Sequence, residues 1–428
     1  MAAVLRGDPH SFATKEPLIN YARSAFLPQK PQIVRNEPRD SSTATAEARH
    51  VRANVRGAAF AAKPGRDGPL RALRPVPARL FGITKRHSPE PDRSARKDSS
   101  RPRIIDQRLP KRKDQIRMTK TAFLFPGQGS QSLGMLAQLA TQSALVRDTF
   151  AEASEVLGYD LWAVVQSGPD ERLNQTEITQ PAMLAAGIAC WRTWKSLGGF
   201  EPDYMAGHSL GEYSALVAAG SLQFPGAVKL VAERARLMQA ATPPGSGAMA
   251  AILGLEEAAL IEVCALSAQG QVVSCANFNS PGQVVIAGDR AAVERACEQA
   301  LAAGAKRAVP LAVSVPSHCA LMQQAAAEFA HVLAATDFSP GDASVLHNVD
   351  AQTRASAPAI RTALEQQLWQ PVRWADTIVA LSSLGVGRFA ECGPGKVLAG
   401  LNRRIVRAAD TVALVDLAVM SETLGKWS

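Results

Sequence analysis

The sequence predicts an α/β fold: a core built on a mostly parallel sheet, an inserted subdomain of ferredoxin-like order, and a disordered N-terminal extension. Three observations predict it. From Thr121 onward, short apolar runs closed by Gly or Pro alternate with longer helical stretches. Residues 242–313 switch to the order β-α-β-β-α-β. Residues 1–117, rich in Arg, Pro, Ser and Ala, sustain neither a helical nor a strand period.

The extension differs from the rest in charge as well as pattern. Residues 1–117 carry 26 Lys/Arg against 11 Asp/Glu, and residues 118–428 carry 21 against 27. The formal net charge of +9 therefore combines a tail at +15 with a remainder at −6. Segments such as Arg93-Ser94-Ala95-Arg96-Lys97-Asp98-Ser99-Ser100 bury too little apolar surface to offset the entropy of ordering. Met118 opens a different kind of sequence and is a candidate translation start, which mass spectrometry of the native N-terminus would settle. Asp8, Glu16, Glu37 and Asp40 interrupt the acid-poor stretch that a mitochondrial transit peptide needs. The N-terminus has no apolar h-region, and no run of roughly 18 apolar residues marks a membrane span. The six cysteines, at 190, 264, 275, 297, 319 and 392, form no CxxC pair. A cytoplasmic protein without metal or disulfides is the expectation.

The core elements follow in order. Thr121-Ala122-Phe123-Leu124-Phe125 is a strand ended by Pro126-Gly127. Pro181 to Leu197 reads as a helix with small and apolar residues on most faces, hence buried. A second strand runs to Met205-Ala206, and an Ala/Leu-rich helix ends near Ala219. In the subdomain, strands are expected at Ala248–Leu253 and Gln283–Ala287, and helices at Glu256–Ala268 and Arg290–Ala303. The turn between its middle strands is placed at Asn279-Ser280-Pro281-Gly282. A late strand, Arg388-Phe389-Ala390-Glu391, ends at Gly393-Pro394-Gly395.

The strongest chemical signal is Gly207-His208-Ser209-Leu210-Gly211, a GxSxG turn between strand and helix, as in the nucleophile elbow of hydrolase-like cores. The turn leaves no room for side chains at 207 and 211, and it aims the Ser209 hydroxyl beside a helix N-terminus. A serine of ordinary pKa needs a general base within hydrogen-bond reach. His208 adjoins the serine and points away from it; His331 falls mid-helix on a solvated face; His347 reads as an interior histidine. His318 follows Ser314-Val315-Pro316-Ser317, where the chain rejoins the core and catalytic loops belong. Arg234 shares a helical stripe with Ala227, Leu230, Val231, Met238 and Ala241, so it is expected to be buried and to need an anion. That anion is either an internal carboxylate or one carried by the substrate. Gly127-Gln128-Gly129 lacks the third glycine of a dinucleotide site, with Ser132 in its place. Gly393-Pro394-Gly395-Lys396 has Val397 where a phosphate loop needs Ser or Thr.

Six ordered segments resemble the malonyl-CoA:acyl carrier protein transacylases of bacterial fatty acid synthesis. They are Phe125-Pro126-Gly127-Gln128-Gly129-Ser130-Gln131, Gly207-His208-Ser209-Leu210-Gly211-Glu212, Asn277-Phe278-Asn279-Ser280-Pro281-Gly282-Gln283, Val313-Ser314-Val315-Pro316-Ser317-His318, Gln367-Leu368-Trp369-Gln370-Pro371-Val372 and Glu391-Cys392-Gly393-Pro394-Gly395. The resemblance covers about Met118 to Ile405 and leaves residues 1–117 unmatched. It implies Ser209 as nucleophile and His318 as general base, oriented by the backbone carbonyl of Gln367. It further implies an oxyanion hole from the N–H groups of Gln128 and Leu210, with Arg234 and Gln367 at the substrate. No cofactor is implied, since malonyl-CoA is a substrate. The implied partner is acyl carrier protein, and the expected enzyme is a monomer with no specific nucleic-acid or membrane partner.

Two rivals remain. A serine hydrolase or thioesterase would use water as acceptor, yet such enzymes set an acidic triad member between Ser and His in chain order. Here a whole subdomain fills that interval, and an arginine stands where an apolar acyl pocket belongs. A nucleic-acid-binding protein would use the basic tail. It would lose strongly salt-dependent binding on deletion of 1–117.

Overall fold

The computed structural model describes residues 119–313 and 315–428. The readings of 1–117 as disordered and of Met118 as a start lie outside the described residues.

Strand β1 (Lys120–Phe125) leads through α1 (Ala137–Gln142), α2 (Ala144–Leu157), α3 (Leu161–Ser167) and α4 (Asp170–Leu173) to the long α5 (Thr176–Ser196). Strand β2 (Tyr204–Gly207), α6 (Gly211–Ala218) and α7 (Phe224–Ala240) follow. Next come β3 (Gly247–Leu253), α8 (Glu257–Ala268), β4 (Val273–Ser280), β5 (Gln283–Asp289), α9 (Arg290–Ala302) and β6 (Arg307–Pro310). The chain continues with α10 (Gln323–Ala334), β7 (Ser344–Leu346), α11 (Ala357–Gln367), α12 (Trp374–Ser383) and β8 (Val386–Glu391). It closes with α13 (Val397–Ile405), β9 (Asp410–Ala413) and α14 (Leu417–Trp427).

Five strands form a parallel sheet in the order β7-β2-β1-β8-β9. A parallel sheet is covered on both faces, so its central strands read as continuous apolar runs. In β1 the residues Ala122, Phe123, Leu124 and Phe125 are all fully buried. They alternate between layers: Phe123 and Phe125 join the cluster with Met205, Val345 and Ala390, while Ala122 and Leu124 join Ala206, Leu346 and Phe389. The register pairs Phe125 with Gly207 and Leu124 with Glu391, so the carboxyl ends of three strands open at one edge. Sites on open α/β sheets gather at that edge.

The second sheet is antiparallel, ordered β4-β5-β3-β6. One face packs with α8 and α9 through Ala250, Ile252, Leu260, Val263, Ile286, Val293 and Ala296. Met249, Ala276, Val285 and Ala287 occupy the other face with Cys319. Backbone bonds from Phe278 N–H to the Val372 carbonyl and from Val372 N–H to the Ala276 carbonyl, both 2.9 Å, tie β4 to the chain before α12.

Two local expectations change. Helix α5 starts at Thr176, five residues before Pro181, and contains that proline. Proline forfeits one backbone bond, but most residues of α5 are buried, Thr176, Thr179 and Gln180 of the added turn among them, and packing holds that turn together. The turn expected at 279–282 narrows to Pro281-Gly282. Ser280 pairs with Gln283 across the hairpin and Gly282 takes a φ of +69°, so Asn279 belongs to a strand.

Candidate active site

Strand β2 ends at Gly207 and α6 begins at Gly211, leaving three residues for the reversal. A Cβ on Gly207 would overlap the backbone of Gly211, and one on Gly211 would overlap the Phe125 carbonyl. Both glycines are thus required by close approach. Ser209 is left at φ 50°, a left-handed conformation that costs energy outside glycine. Asn348 holds it there: its Oδ1 accepts the Ser209 N–H at 2.7 Å, and its Nδ2 donates to the Gly207 carbonyl at 2.7 Å.

His318 is also left-handed, at φ 62°, with its N–H bonded to the Leu368 carbonyl at 3.0 Å. Its Nδ1 lies 2.7 Å from the Gln367 carbonyl, which only accepts, so that nitrogen carries the proton. Nε2 is then free to accept from the Ser209 hydroxyl, 2.8 Å away. Burial first, then the neighbouring Arg234 charge, pushes the imidazole down to about 3. It is neutral, and ready to take a proton, throughout the ordinary pH range.

Arg234 projects from α7 and is 1% exposed. Its Nη1 donates to Gln180 Oε1 at 2.8 Å, and its Nη2 donates to Gln367 Oε1 at 3.0 Å and to Ser209 Oγ at 3.3 Å. The Tyr213 ring centroid lies 5.4 Å from the guanidinium carbon, and Nε has no hydrogen-bond partner. Among the described residues no carboxylate comes within 4.0 Å of this group, so the internal ion pair considered from sequence is not formed. A guanidinium stays charged even when buried. It stands next to the serine hydroxyl with no carboxylate in direct contact.

Gln128 and Leu210 meet at the cleft wall. A Cβ on Gly127 would overlap the His208 carbonyl and lie 3.6 Å from the Leu210 nitrogen, so the loop after β1 lies directly on the elbow. The Leu210 N–H stands at the start of α6, where first-turn N–H groups have no helical acceptor. Ser209, His318, Arg234, Gln128 and Leu210 all line one cleft enclosing about 1370 Å³, its open mouth included. Met249, Val285 and Val309 of the antiparallel sheet form its opposite wall. Gln367, expected at the substrate, is fully buried and does not line that cleft. Its side chain instead supports Arg234 from behind.

Among the described residues the other histidines do not approach the serine hydroxyl. His208 Nε2 bonds Asn279 Oδ1 at 2.8 Å, His347 bonds Glu212 in the interior, and His331 is exposed on α10. Sequence reasoning missed Gln180, Asn348 and Glu212 as members of the site. The available signal was a polar residue set in a buried apolar element, as Gln180 is in α5. The Gly393–Lys396 turn has its neighbouring helix N-terminus filled from within: Glu391 accepts Leu398 N–H at 3.1 Å and Ala399 N–H at 2.8 Å. No phosphate is needed there. Among the described residues no three His, Cys, Asp or Glu side chains are grouped to hold a metal, and no helix is long and apolar enough to cross a membrane.

Residues 122–419 match the acyl transferase domain family model. The malonyl CoA-acyl carrier protein transacylase of Salmonella typhimurium is 55% identical over 307 residues, covering 72% of this chain and 99% of its own. That of Bacillus subtilis is 46% identical over 300 residues, covering 70% and 94%. The solved malonyl-transacylase PlMCAT, in complex with the type II PKS acyl-carrier protein AntF, superposes with a TM-score of 0.71 at 56% identity, covering 72% and 100%. The acyl carrier protein S-malonyltransferase of Vibrio cholerae gives 0.70 at 57% identity, covering 71% and 100%. The chain belongs to the acyl transferase domain family and, within it, to the malonyl CoA-acyl carrier protein transacylases.

Proposed function

We propose that this enzyme transfers the malonyl group of malonyl-CoA to the phosphopantetheine thiol of an acyl carrier protein, by a ping-pong route through a malonyl ester of Ser209. The observation that carries the reading is one hydroxyl with two neighbours: a neutral base at 2.8 Å and, at 3.3 Å, a guanidinium with no carboxylate in contact. In the first half-reaction His318 Nε2 takes the Ser209 proton as Oγ bonds to the thioester carbonyl carbon. The oxyanion that forms is held by the N–H groups of Gln128 and Leu210, where loss of such a donor costs about 3–4 kcal/mol. The C–S bond breaks, and His318 returns the proton to the coenzyme A thiolate. In the second half-reaction the carrier thiol gives its proton to His318 and attacks the ester carbonyl; the C–Oγ bond breaks, and His318 returns the proton to Ser209 Oγ.

Arg234 binds the malonyl carboxylate and so selects it over acetyl. Gln367 orients His318 through its carbonyl and steadies Arg234 through its amide. In this reading the chain divides into an α/β core, residues 118–241 and 314–428, and a ferredoxin-like subdomain, residues 242–313. The cleft between them receives the pantetheine arm. The enzyme works as a monomer in the cytoplasm, in fatty acid biosynthesis, without cofactor or metal. Six free cysteines fit a reducing compartment.

The test follows malonyl-CoA with and without carrier protein. Malonyl-carrier formation, with free malonate only a trace product, supports transfer. Malonate release at the same rate without carrier would make the enzyme a hydrolase.

A further inference from the structure

Glu212 closes the Gly207–Glu212 motif at the start of α6, yet it touches none of the reacting atoms. It is fully buried on α6. Among the described residues no Lys or Arg pairs with it; its one ion-pair geometry is with His347. Its carboxylate accepts three hydrogen bonds: His347 Nδ1 to Oε1 at 2.7 Å, and Asn348 N–H at 3.0 Å and Gln367 Nε2 at 2.8 Å to Oε2. An interior carboxylate is costly, and each of its donors compensates only where it is held in place.

Two of those donors belong to residues that hold the site. Asn348 carries the Ser209 N–H and the Gly207 carbonyl. Gln367 gives Nε2 to the Ser209 carbonyl at 3.0 Å, offers Oε1 to Arg234 at 3.0 Å, and takes His318 Nδ1 on its backbone carbonyl. A carboxamide can be turned end for end, and only its partners decide which way it faces. Glu212 Oε2, which already accepts the Asn348 N–H, and the Ser209 carbonyl both present acceptors, so together they turn the Gln367 amino group inward and its oxygen toward Arg234. The reversed amide would set N–H against N–H at the guanidinium.

We propose that Glu212 is a positioning residue: through Gln367 it aims the Arg234 guanidinium at the substrate carboxylate and thereby sets the preference for an acyl group bearing a carboxylate over an uncharged one. The inference rests on the assignment of Arg234 as the carboxylate clamp.

The test measures kcat/KM for malonyl-CoA and acetyl-CoA with carrier protein as acceptor, using the full chain. Glu212→Ala lowers the malonyl-to-acetyl ratio at least about tenfold, the scale of effect expected when a binding group is misplaced. Glu212→Gln keeps the ratio near wild type, because its amide oxygen can occupy the Oε2 position while its amino group faces His347. Gln367→Leu lowers the ratio like Glu212→Ala, and adding Glu212→Ala to it lowers the ratio no further. If Glu212→Ala fails to fold, Gln367→Leu and Glu212→Gln decide the matter. Equal losses for both substrates, with the ratio unchanged, would make Glu212 merely structural and overturn the inference. Arg234→Ala is the control. If it leaves the ratio unchanged, the clamp assignment fails, and this inference with it. If it collapses the ratio while Glu212→Ala does not, the inference alone fails.

Discussion

Replacing Arg234 by Ala tests the selectivity of the site, and its effect can be worked from the geometry. The guanidinium is 1% exposed and bonded to two carboxamide oxygens and one hydroxyl, none of them charged. A malonyl carboxylate therefore meets a desolvated cation with no carboxylate in direct contact, the buried Glu212 standing behind Gln367. Removing one partner of such a buried pair costs about 2–5 kcal/mol. At about 1.4 kcal/mol per decade, kcat/KM for malonyl-CoA falls about 30-fold to several thousand-fold. Acetyl-CoA gains nothing from the cation, and its kcat/KM stays level or rises once the charge is gone. The assay runs both thioesters in competition against one carrier protein, with thermal melts to show that the variant is folded. A ratio equal to wild type, with both rates lowered alike, would refute the clamp.

Four further outcomes are expected. Gly207→Ala and Gly211→Ala each drive a Cβ into backbone atoms that cannot retreat. Denaturant unfolding should show a loss of about 4 kcal/mol or more, or no folded protein at all. With the His318 imidazole pushed down to about 3, the kcat/KM for Ser209 acylation stays flat from pH 8 to pH 5; a limb centred near 6.5 would contradict the assignment. The same depressed value means that the stability this histidine contributes is full above the unfolded value of 6.5 and is lost as pH falls toward 3, so melts should show a smaller pH 5-to-7 difference for His318→Ala than for wild type. Phe123→Ala deletes a fully buried ring set edge-on to Trp191 at 5.6 Å and Trp194 at 5.3 Å, and costs about 3–5 kcal/mol in denaturant unfolding.

The elements legible in the sequence were those set by neighbours along the chain. The apolar run at 121–125 had to be a buried strand, and the glycines at 207 and 211 had to flank a tight reversal, because both follow from local sterics. Arg234 was legible as buried because Ala227, Leu230, Val231 and Met238 share its stripe. Whether it met a carboxylate was not legible, since Gln180 and Gln367 lie 54 and 133 residues away in sequence. His318 was likewise one candidate among four until the elbow and the chain at 367–368 closed around it. Pro181 misled for a related reason: a local rule for starting helices yielded to tertiary packing around α5. Glu212 stood in the Gly207–Glu212 segment, but nothing local marked it as interior. A carboxylate on a short helix ordinarily faces solvent, and only the convergence of His347, Asn348 and Gln367 makes it interior.

The covalent step is tested most directly by intact-protein mass spectrometry of the full chain after brief mixing with malonyl-CoA, for wild type and Ser209→Ala. The account predicts a malonyl adduct of about 86 Da on wild type and none on the variant. An adduct of equal yield on Ser209→Ala, or none on a folded wild type at times short enough to precede hydrolysis, would contradict Ser209 as the nucleophile.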